Sequence, residues 1–102
     1  MAIRSFMKPE LKEFFDTGKI PKKAPWQGAK KIVARKLDML DYAHVLDDLK
    51  SPPGNCLEAL KDDLNGLHSI RVNDQWRIVF AWTPQGPAQV RIMDYLNGGV
   101  YG

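Results

Sequence analysis

Cysteine and histidine are scarce in this sequence: its 102 residues contain one cysteine, Cys56, and two histidines. One cysteine cannot form an internal disulfide, and its use suits a reducing compartment such as the cytoplasm. A closed zinc site needs about four Cys or His ligands, so we expect no metal centre. No apolar run approaches the roughly 18 residues that span a bilayer, and the first residues lack the apolar core of a secretory signal. We therefore expect no membrane partner.

The remaining composition is that of an ordinary globular domain. Apolar residues make up 44% of the chain, and the length suits one domain over residues 1–102. The net charge of +3 is a mild basic bias. It is compatible with nucleic-acid binding without establishing it.

The stretch from Ser69 to Trp82 has the alternation of a β-hairpin. A three-residue loop, 74–76, would turn both apolar sets toward one core because side chains alternate with period two. Those sets are Ile70 and Val72 on the first strand, and Ile78, Phe80 and Trp82 on the second. Arg71, Asn73 and Arg77 would then share the opposite face. Two neighbouring arginines indicate either a solvated face or a site for an anion.

The rest of the chain predicts an α+β fold. In chain order the pattern favours an edge strand over 3–6, helices over 9–17 and 26–48, a turn over 51–54, weak β character over 55–61, a turn over 62–66, a strand over 89–95 and a flexible tail over 96–102. Both helices should pack on one face of a mainly antiparallel sheet of four or five strands.

The last strand should bring a phenol to the arginine face. If Trp82 lies opposite Val90, Tyr95 falls directly across from Arg77 on the face away from the helices. Asp94 alternates to the other side.

Several segments, in this order, resemble the HigB branch of the RelE-type toxins. They are Ile3-Arg-Ser-Phe6, Arg35-Lys-Leu-Asp-Met-Leu-Asp41, Ser51-Pro-Pro-Gly-Asn55, Leu57-Glu-Ala-Leu-Lys61, the hairpin from Ser69 to Phe80, and Asp94-Tyr95. The resemblance implies a RelE-like fold and the toxin of a type II toxin–antitoxin pair. Such a toxin acts in the cytoplasm, enters the ribosomal decoding site and cuts mRNA without a metal or other cofactor. The implied partner is a HigA-like helix-turn-helix antitoxin, whose complex with the toxin binds operator DNA.

The implied chemistry assigns roles to seven residues. Metal-free cleavage uses the ribose 2′-hydroxyl as nucleophile and needs proton transfer and cations for the phosphate. Arg77 would bind phosphate, Lys61 would add a second charge, and Tyr95 would transfer a proton. Asp94 would either assist as a base or hold the end of the strand. The RNA-binding candidates are Arg71, Asn73 and Trp76, although a packing role is the favoured interpretation of Trp76.

Three positions depart from the family pattern. Leu96 stands where a histidine is common, and Leu64 and Cys56 stand where arginines are common. These losses motivate an alternative reading, an attenuated homologue that binds its antitoxin or the ribosome without cutting. A plain RNA-binding domain is a further alternative that depends on charge alone.

Overall fold

The structure is a computed structural model and describes residues 2–100. In these residues, two α-helices precede an antiparallel sheet of four strands. The helices are α1 (Pro9–Thr17) and α2 (Lys30–Tyr42), and the strands are β1 (Glu58–Ala59), β2 (Leu67–Arg71), β3 (Trp76–Thr83) and β4 (Gly86–Asp94). The strands lie in the order β1-β2-β3-β4, and every neighbouring pair is antiparallel. The predicted α+β class is confirmed.

The helix ends follow local capping. Pro9 stands in the first turn of α1, and Gly18 ends the helix with a left-handed backbone (φ 81°) and an N–H donated to the Phe14 carbonyl at 2.8 Å. These are the predicted bounds.

The predicted second helix, 26–48, was too long. The chain enters α2 through a 3₁₀ turn at Gln27–Ala29 and leaves it at Ala43, whose ψ is 133°. The Asp48 carboxylate then accepts the backbone N–H groups of His44 and Val45, at 2.9 and 3.3 Å, and a second 3₁₀ segment follows at Leu46–Lys50. The helix stops because a side chain satisfies these amides locally.

The core lies between the two helices and one face of the sheet. Apolar side chains from all three are removed from solvent, including Leu11, Val33, Leu37, Leu40, Ile70, Ile78, Phe80, Val90 and Ile92. Their burial supplies the main driving force for this arrangement. Neither α1 nor α2 packs on the opposite face, as the alternation predicted, and that face is covered in part by the loops after β1 and β4.

The first residues run along the outer edge of β4. Arg4 donates its N–H to the Pro87 carbonyl at 2.7 Å, Val90 donates to Ser5 at 3.1 Å, and Met7 donates to Val90 at 2.9 Å. Phe6 and Val90 form a single parallel bridge. The segment predicted as an edge strand therefore protects this edge of the sheet, although it forms one bridge instead of a full ladder.

Both predicted registers were wrong: the β2–β3 pairing by two residues, and the β3–β4 pairing by two residues at Arg77 and by three at Trp82. Trp76 lies in β3 and not in the loop, so Arg71 pairs directly with Arg77. In the next pair, Met93 lies opposite Arg77 and Pro87 lies opposite Trp82, with a bulge in β4 at Gln89 (φ 54°). The loop into β4 is tighter than predicted, because Thr83 pairs with Gly86.

The segment after β4 turns back onto the strand. Gly98 donates its N–H to the Asp94 carbonyl at 2.8 Å, Asp94 donates to Gly99 at 3.0 Å, and Met93 and Val100 form an antiparallel bridge. The predicted flexible tail extends to residues 101–102, which lie outside the described residues. Within residues 2–100, no helix has the length and apolar character to cross a bilayer.

Candidate active site on the uncovered sheet face

Arg77 is the central cation of the uncovered face. It points from β3 and is buried, with 8% of the residue exposed. Its Nη1 donates to the Ser69 hydroxyl at 2.8 Å and to the Cys56 backbone carbonyl at 3.2 Å. No carboxylate forms an ion pair with it among residues 2–100. The guanidinium is therefore held by neutral oxygens and keeps its charge for a ligand.

Tyr95 lies against this guanidinium. The Cζ atom of Arg77 is 4.5 Å from the centre of the Tyr95 ring, within the range of a cation–π contact. Tyr95 is two positions beyond the residue opposite Arg77, so the pair meets diagonally across the strands. Tyr95 as a residue remains 55% exposed. The predicted meeting of arginine and phenol thus occurs in spite of the wrong register.

A cleft of 220 Å³ opens beside the two side chains. Its wall combines the sheet face, the loop after β1 and the turn after β4: Leu60, Leu64, Ser69, Arg77, Val79, Met93, Asp94, Tyr95 and Gly98. Most of that wall is apolar, with the guanidinium as its cation. An apolar wall lowers the local dielectric and strengthens the interaction of Arg77 with an anion.

Asp94 organises the turn after β4. Its carboxylate accepts the Gln75 side-chain amide at 3.0 Å, the backbone N–H groups of Leu96 and Asn97 at 3.0 and 2.9 Å, and the Asn97 side chain at 3.2 Å. The Gln75 amide, followed by the Asn97 backbone N–H, lowers the pKa of the Asp94 carboxyl. A carboxylate surrounded by donors is a poor proton acceptor, so this geometry favours the strand-end role over the base.

The hairpin loop engages two of the predicted RNA-binding residues. Arg71 lies directly across from Arg77, and its Nη2 donates to the exposed Asp74 carboxylate. Asn73 accepts the backbone N–H groups of Gln75 and Trp76 at 2.9 and 2.8 Å. Asn73 therefore builds the turn with its Oδ1, and Arg71 is partly neutralised at the rim of the site.

Trp76 requires a correction. The structure includes it in the core cluster with 5% of the residue exposed. Its parity assigns it to the face of Ile78 because it begins β3 instead of lying in the loop. The indole has no open face for a nucleobase, so the packing interpretation is the correct one.

Lys61 belongs to the loop after β1 but is not among the residues that line the cleft. Its side chain is exposed, and Leu60 and Leu64, on either side of it in the sequence, line the cleft. Among the described residues 2–100, no carboxylate forms an ion pair with its ammonium.

His68 lies on the core side of the sheet. It pairs with Phe80 across the strands, and the two rings stack with their centroids 6.2 Å apart.

The sequence reasoning missed the groups that hold Arg77. Ser69 has the same parity as Arg71 and so shares the arginine face, a signal that the alternation contained. No sequence pattern predicted that the Cys56 carbonyl would bind Arg77, since the direction of that carbonyl depends on the left-handed backbone of Cys56 (φ 47°). Behind it, the buried Asn55 accepts from Lys36 of α2 and donates to the Leu49 and Ser51 carbonyls.

Two other cations are buried, Lys36 of α2 and Arg91 of β4. Burial, reinforced by Arg35, lowers the pKa of Lys36, whose ammonium donates to Asn55. Burial also lowers the pKa of Arg91, which lies across from Val79 on the arginine face. Within residues 2–100, no three or more His, Cys, Asp or Glu side chains form a group suited to holding a metal ion.

Comparison with known proteins identifies the family. A sequence model of the RelE-like toxin HigB of type II toxin–antitoxin systems matches residues 4–97. Toxin HigB-1 of Vibrio cholerae serotype O1 is 40% identical over 72 residues, which cover 71% of this chain and 75% of that protein. An uncharacterized protein of Haemophilus influenzae is also 40% identical over 72 residues, covering 71% of this chain and 70% of that protein. The chain belongs to the HigB-like family of RelE-like toxins of type II toxin–antitoxin systems.

Proposed function

We propose that this toxin is a ribosome-dependent endoribonuclease that cuts mRNA by attack of a ribose 2′-hydroxyl on the adjacent phosphate. The observation that carries the proposal is the Arg77 guanidinium held 4.5 Å from the exposed Tyr95 ring beside an open cleft. Membership of a toxin family supports a harmful activity toward a component of the cell that makes the protein. Cleavage on the ribosome is the form of that action which this pair of side chains suits best.

Arg77 is the phosphate-binding group in this mechanism. Both of its hydrogen bonds use Nη1, and no described residue in 2–100 accepts from Nη2 or Nε. These two nitrogens can donate to two phosphate oxygens in the fork geometry of a guanidinium. Charge that develops on the phosphate in the transition state is then stabilised by a cation already in position.

Tyr95 is the proton-transfer group. Its hydroxyl belongs to an exposed ring that lies against Arg77, so it can reach a ribose or leaving oxygen of the same phosphate. Lys61, exposed in the loop after β1, would add a second positive charge toward the RNA. Asp94 would hold the turn that orients Tyr95, and Arg71 would steer the RNA backbone from the loop side.

The same proposal includes the partners. A type II toxin has an antitoxin, and we propose a HigA-like helix-turn-helix protein that carries the complex to operator DNA. The ribosome and mRNA would be the targets, and the cytoplasm the site of action. No membrane partner is proposed.

The test is tight induction of the wild type and of Arg77→Ala, with growth and mRNA ends followed together. We expect arrest and new mRNA ends with the wild type, and a loss of both with Arg77→Ala. Arg4→Ala, an exposed arginine on the far edge of the sheet, is the matched control that should remain toxic. Equal arrest by wild type and Arg77→Ala would contradict the role of Arg77.

Leu96→His extends the test to the attenuated alternative. Leu96 is exposed in the turn next to Tyr95, so a histidine there can reach solvent without disturbing the core. If the wild type leaves mRNA intact and Leu96→His cuts it, the endoribonuclease proposal fails for the natural chain. Cleavage by the wild type would instead reject the attenuated reading.

A further inference from the structure

We propose that Ser69 is a positioning residue, whose hydroxyl fixes the Arg77 guanidinium against Tyr95 in the orientation that binds phosphate. The inference rests on the proposed function for its consequence in catalysis, but the positioning itself can be measured without activity.

The geometry isolates one nitrogen of Arg77 as the anchor. Ser69 is fully buried in β2, and its Oγ accepts from Nη1 at 2.8 Å. The Cys56 carbonyl, in the segment just before β1, accepts from the same Nη1 at 3.2 Å. One corner of the guanidinium is therefore fixed by two oxygens, while the other corners are left for a ligand.

The chemistry of these two anchors suits a phosphate-binding arginine. A hydroxyl and a carbonyl orient a guanidinium without cancelling its charge, whereas a carboxylate would both orient and neutralise it. Arg71, which lies across from Arg77 on β2, differs in this respect because its guanidinium is paired with the Asp74 carboxylate. Of these two arginines, Arg77 is held by two neutral oxygens and has no carboxylate partner among the residues that the structure describes.

Anchoring matters because an unrestrained arginine must lose its side-chain freedom when the phosphate arrives. A guanidinium fixed beforehand avoids that loss at the moment of reaction. Small misplacements of a catalytic group lower rates by up to about 100-fold. We expect loss of the Ser69 hydroxyl to act on kcat more than on KM, since the remaining cations still attract RNA.

The experiment compares Ser69→Ala with a matched hydroxyl deletion, Thr83→Ala. Thr83 lies at the other end of β3, where its hydroxyl donates to the Gly86 carbonyl at 2.7 Å. In single-turnover cleavage of mRNA on purified ribosomes, Ser69→Ala should be about 10- to 100-fold slower. Thr83→Ala should match the wild type.

A double-mutant cycle with Arg77→Ala separates positioning from general damage. If Ser69 acts through Arg77, then Ser69→Ala should slow the wild type but leave the rate of Arg77→Ala unchanged. The same factor of slowing in both backgrounds would overturn the inference. Ser69→Cys, which keeps the size and weakens the acceptor, should repeat the Ser69→Ala result if the alanine variant folds poorly.

A second readout needs no cleavage. The Nε–H signal of Arg77 in ¹⁵N-labelled protein, assigned by its loss in Arg77→Ala, should show an ordered side chain in the wild type and Thr83→Ala, and a mobile one in Ser69→Ala. An equally ordered signal in Ser69→Ala would overturn the positioning role. A wild type that does not cut mRNA but shows the mobility change would sink the proposed function and leave the positioning intact.

Discussion

Replacing Arg77 by lysine tests whether the guanidinium fork, and not the positive charge alone, is what the site uses. The substitution keeps the charge, but a single ammonium cannot both bind Ser69 and Cys56 and present two donors to a phosphate. A hydrogen bond from a charged donor contributes about 1.5–3 kcal/mol. We expect Arg77→Lys to lose about one such bond, and so to lower the free energy of unfolding by that amount.

Urea unfolding measures this loss. With a denaturant slope of about 1–3 kcal/mol per molar, the midpoint should fall by roughly 1 M. Arg71→Lys is the stability control, because its partner Asp74 is 93% exposed and surface pairs contribute about 0–1 kcal/mol. In the cleavage assay, Arg77→Lys should be about 100- to 1,000-fold slower, the usual loss for one donor to the transition state. A midpoint that falls more in Arg71→Lys than in Arg77→Lys would refute this reasoning.

Three further changes test the surrounding structure by urea unfolding. The lowered pKa of Asp94 means that its contribution is present above the ordinary carboxyl pKa near 3.9 and is lost as the pH falls through the lowered value. The wild-type midpoint should therefore fall more steeply than that of Asp94→Asn as the pH is lowered below about 5, and parallel curves would contradict this. Lys36→Met should cost about 1–3 kcal/mol because it leaves the buried Asn55 Oδ1 without its donor, and an unchanged midpoint would argue against that bond. Trp76→Ala should cost about 3–5 kcal/mol as a core truncation, whereas a stable variant with weakened RNA binding would restore the stacking role.

The faces of the sheet could be predicted from the sequence because they depend on parity alone. The predicted hairpin paired Asn73 with Arg77, and the structure pairs Arg71 with Arg77, a slip of two residues. The slip at Tyr95 is also two residues. An even slip leaves every side chain on its predicted face, so Arg71, Arg77 and Tyr95 still share the uncovered side.

The registers could not be predicted because they depend on turn geometry and on a bulge. The β3–β4 loop closes at Thr83 and Gly86, and the extra residue at Gln89 shifts the pairing beyond it. No pattern of apolar residues in the sequence determines either the length of this loop or the position of the bulge. The predicted second helix failed at its ends for a related reason, since the Asp48 carboxylate satisfies amides that a longer helix would have used.

The partners of the site residues were the least predictable part. Strand alternation predicts that Ser69 lies on the same face as Arg77. Its hydrogen bond to Nη1 could not be predicted, because it depends on the rotamer of Arg77. The donors around Asp94 come from the hairpin loop and from the turn after β4, two segments without periodic patterns. Residue types and faces can be inferred from alternation, whereas hydrogen-bond geometry depends on loops.

The chemistry of the mRNA ends tests the central claim most directly. Attack by the 2′-hydroxyl forms a bond to phosphorus and expels the 5′-oxygen, which leaves a 2′,3′-cyclic phosphate, or the 3′-phosphate after hydrolysis, and a 5′-hydroxyl. With purified toxin, translating ribosomes and labelled mRNA, we expect these ends with the wild type and their near absence with Tyr95→Phe, which lacks the hydroxyl but keeps the ring against Arg77. Cut ends that carry a 5′-phosphate, or full cleavage by Tyr95→Phe, would contradict the account.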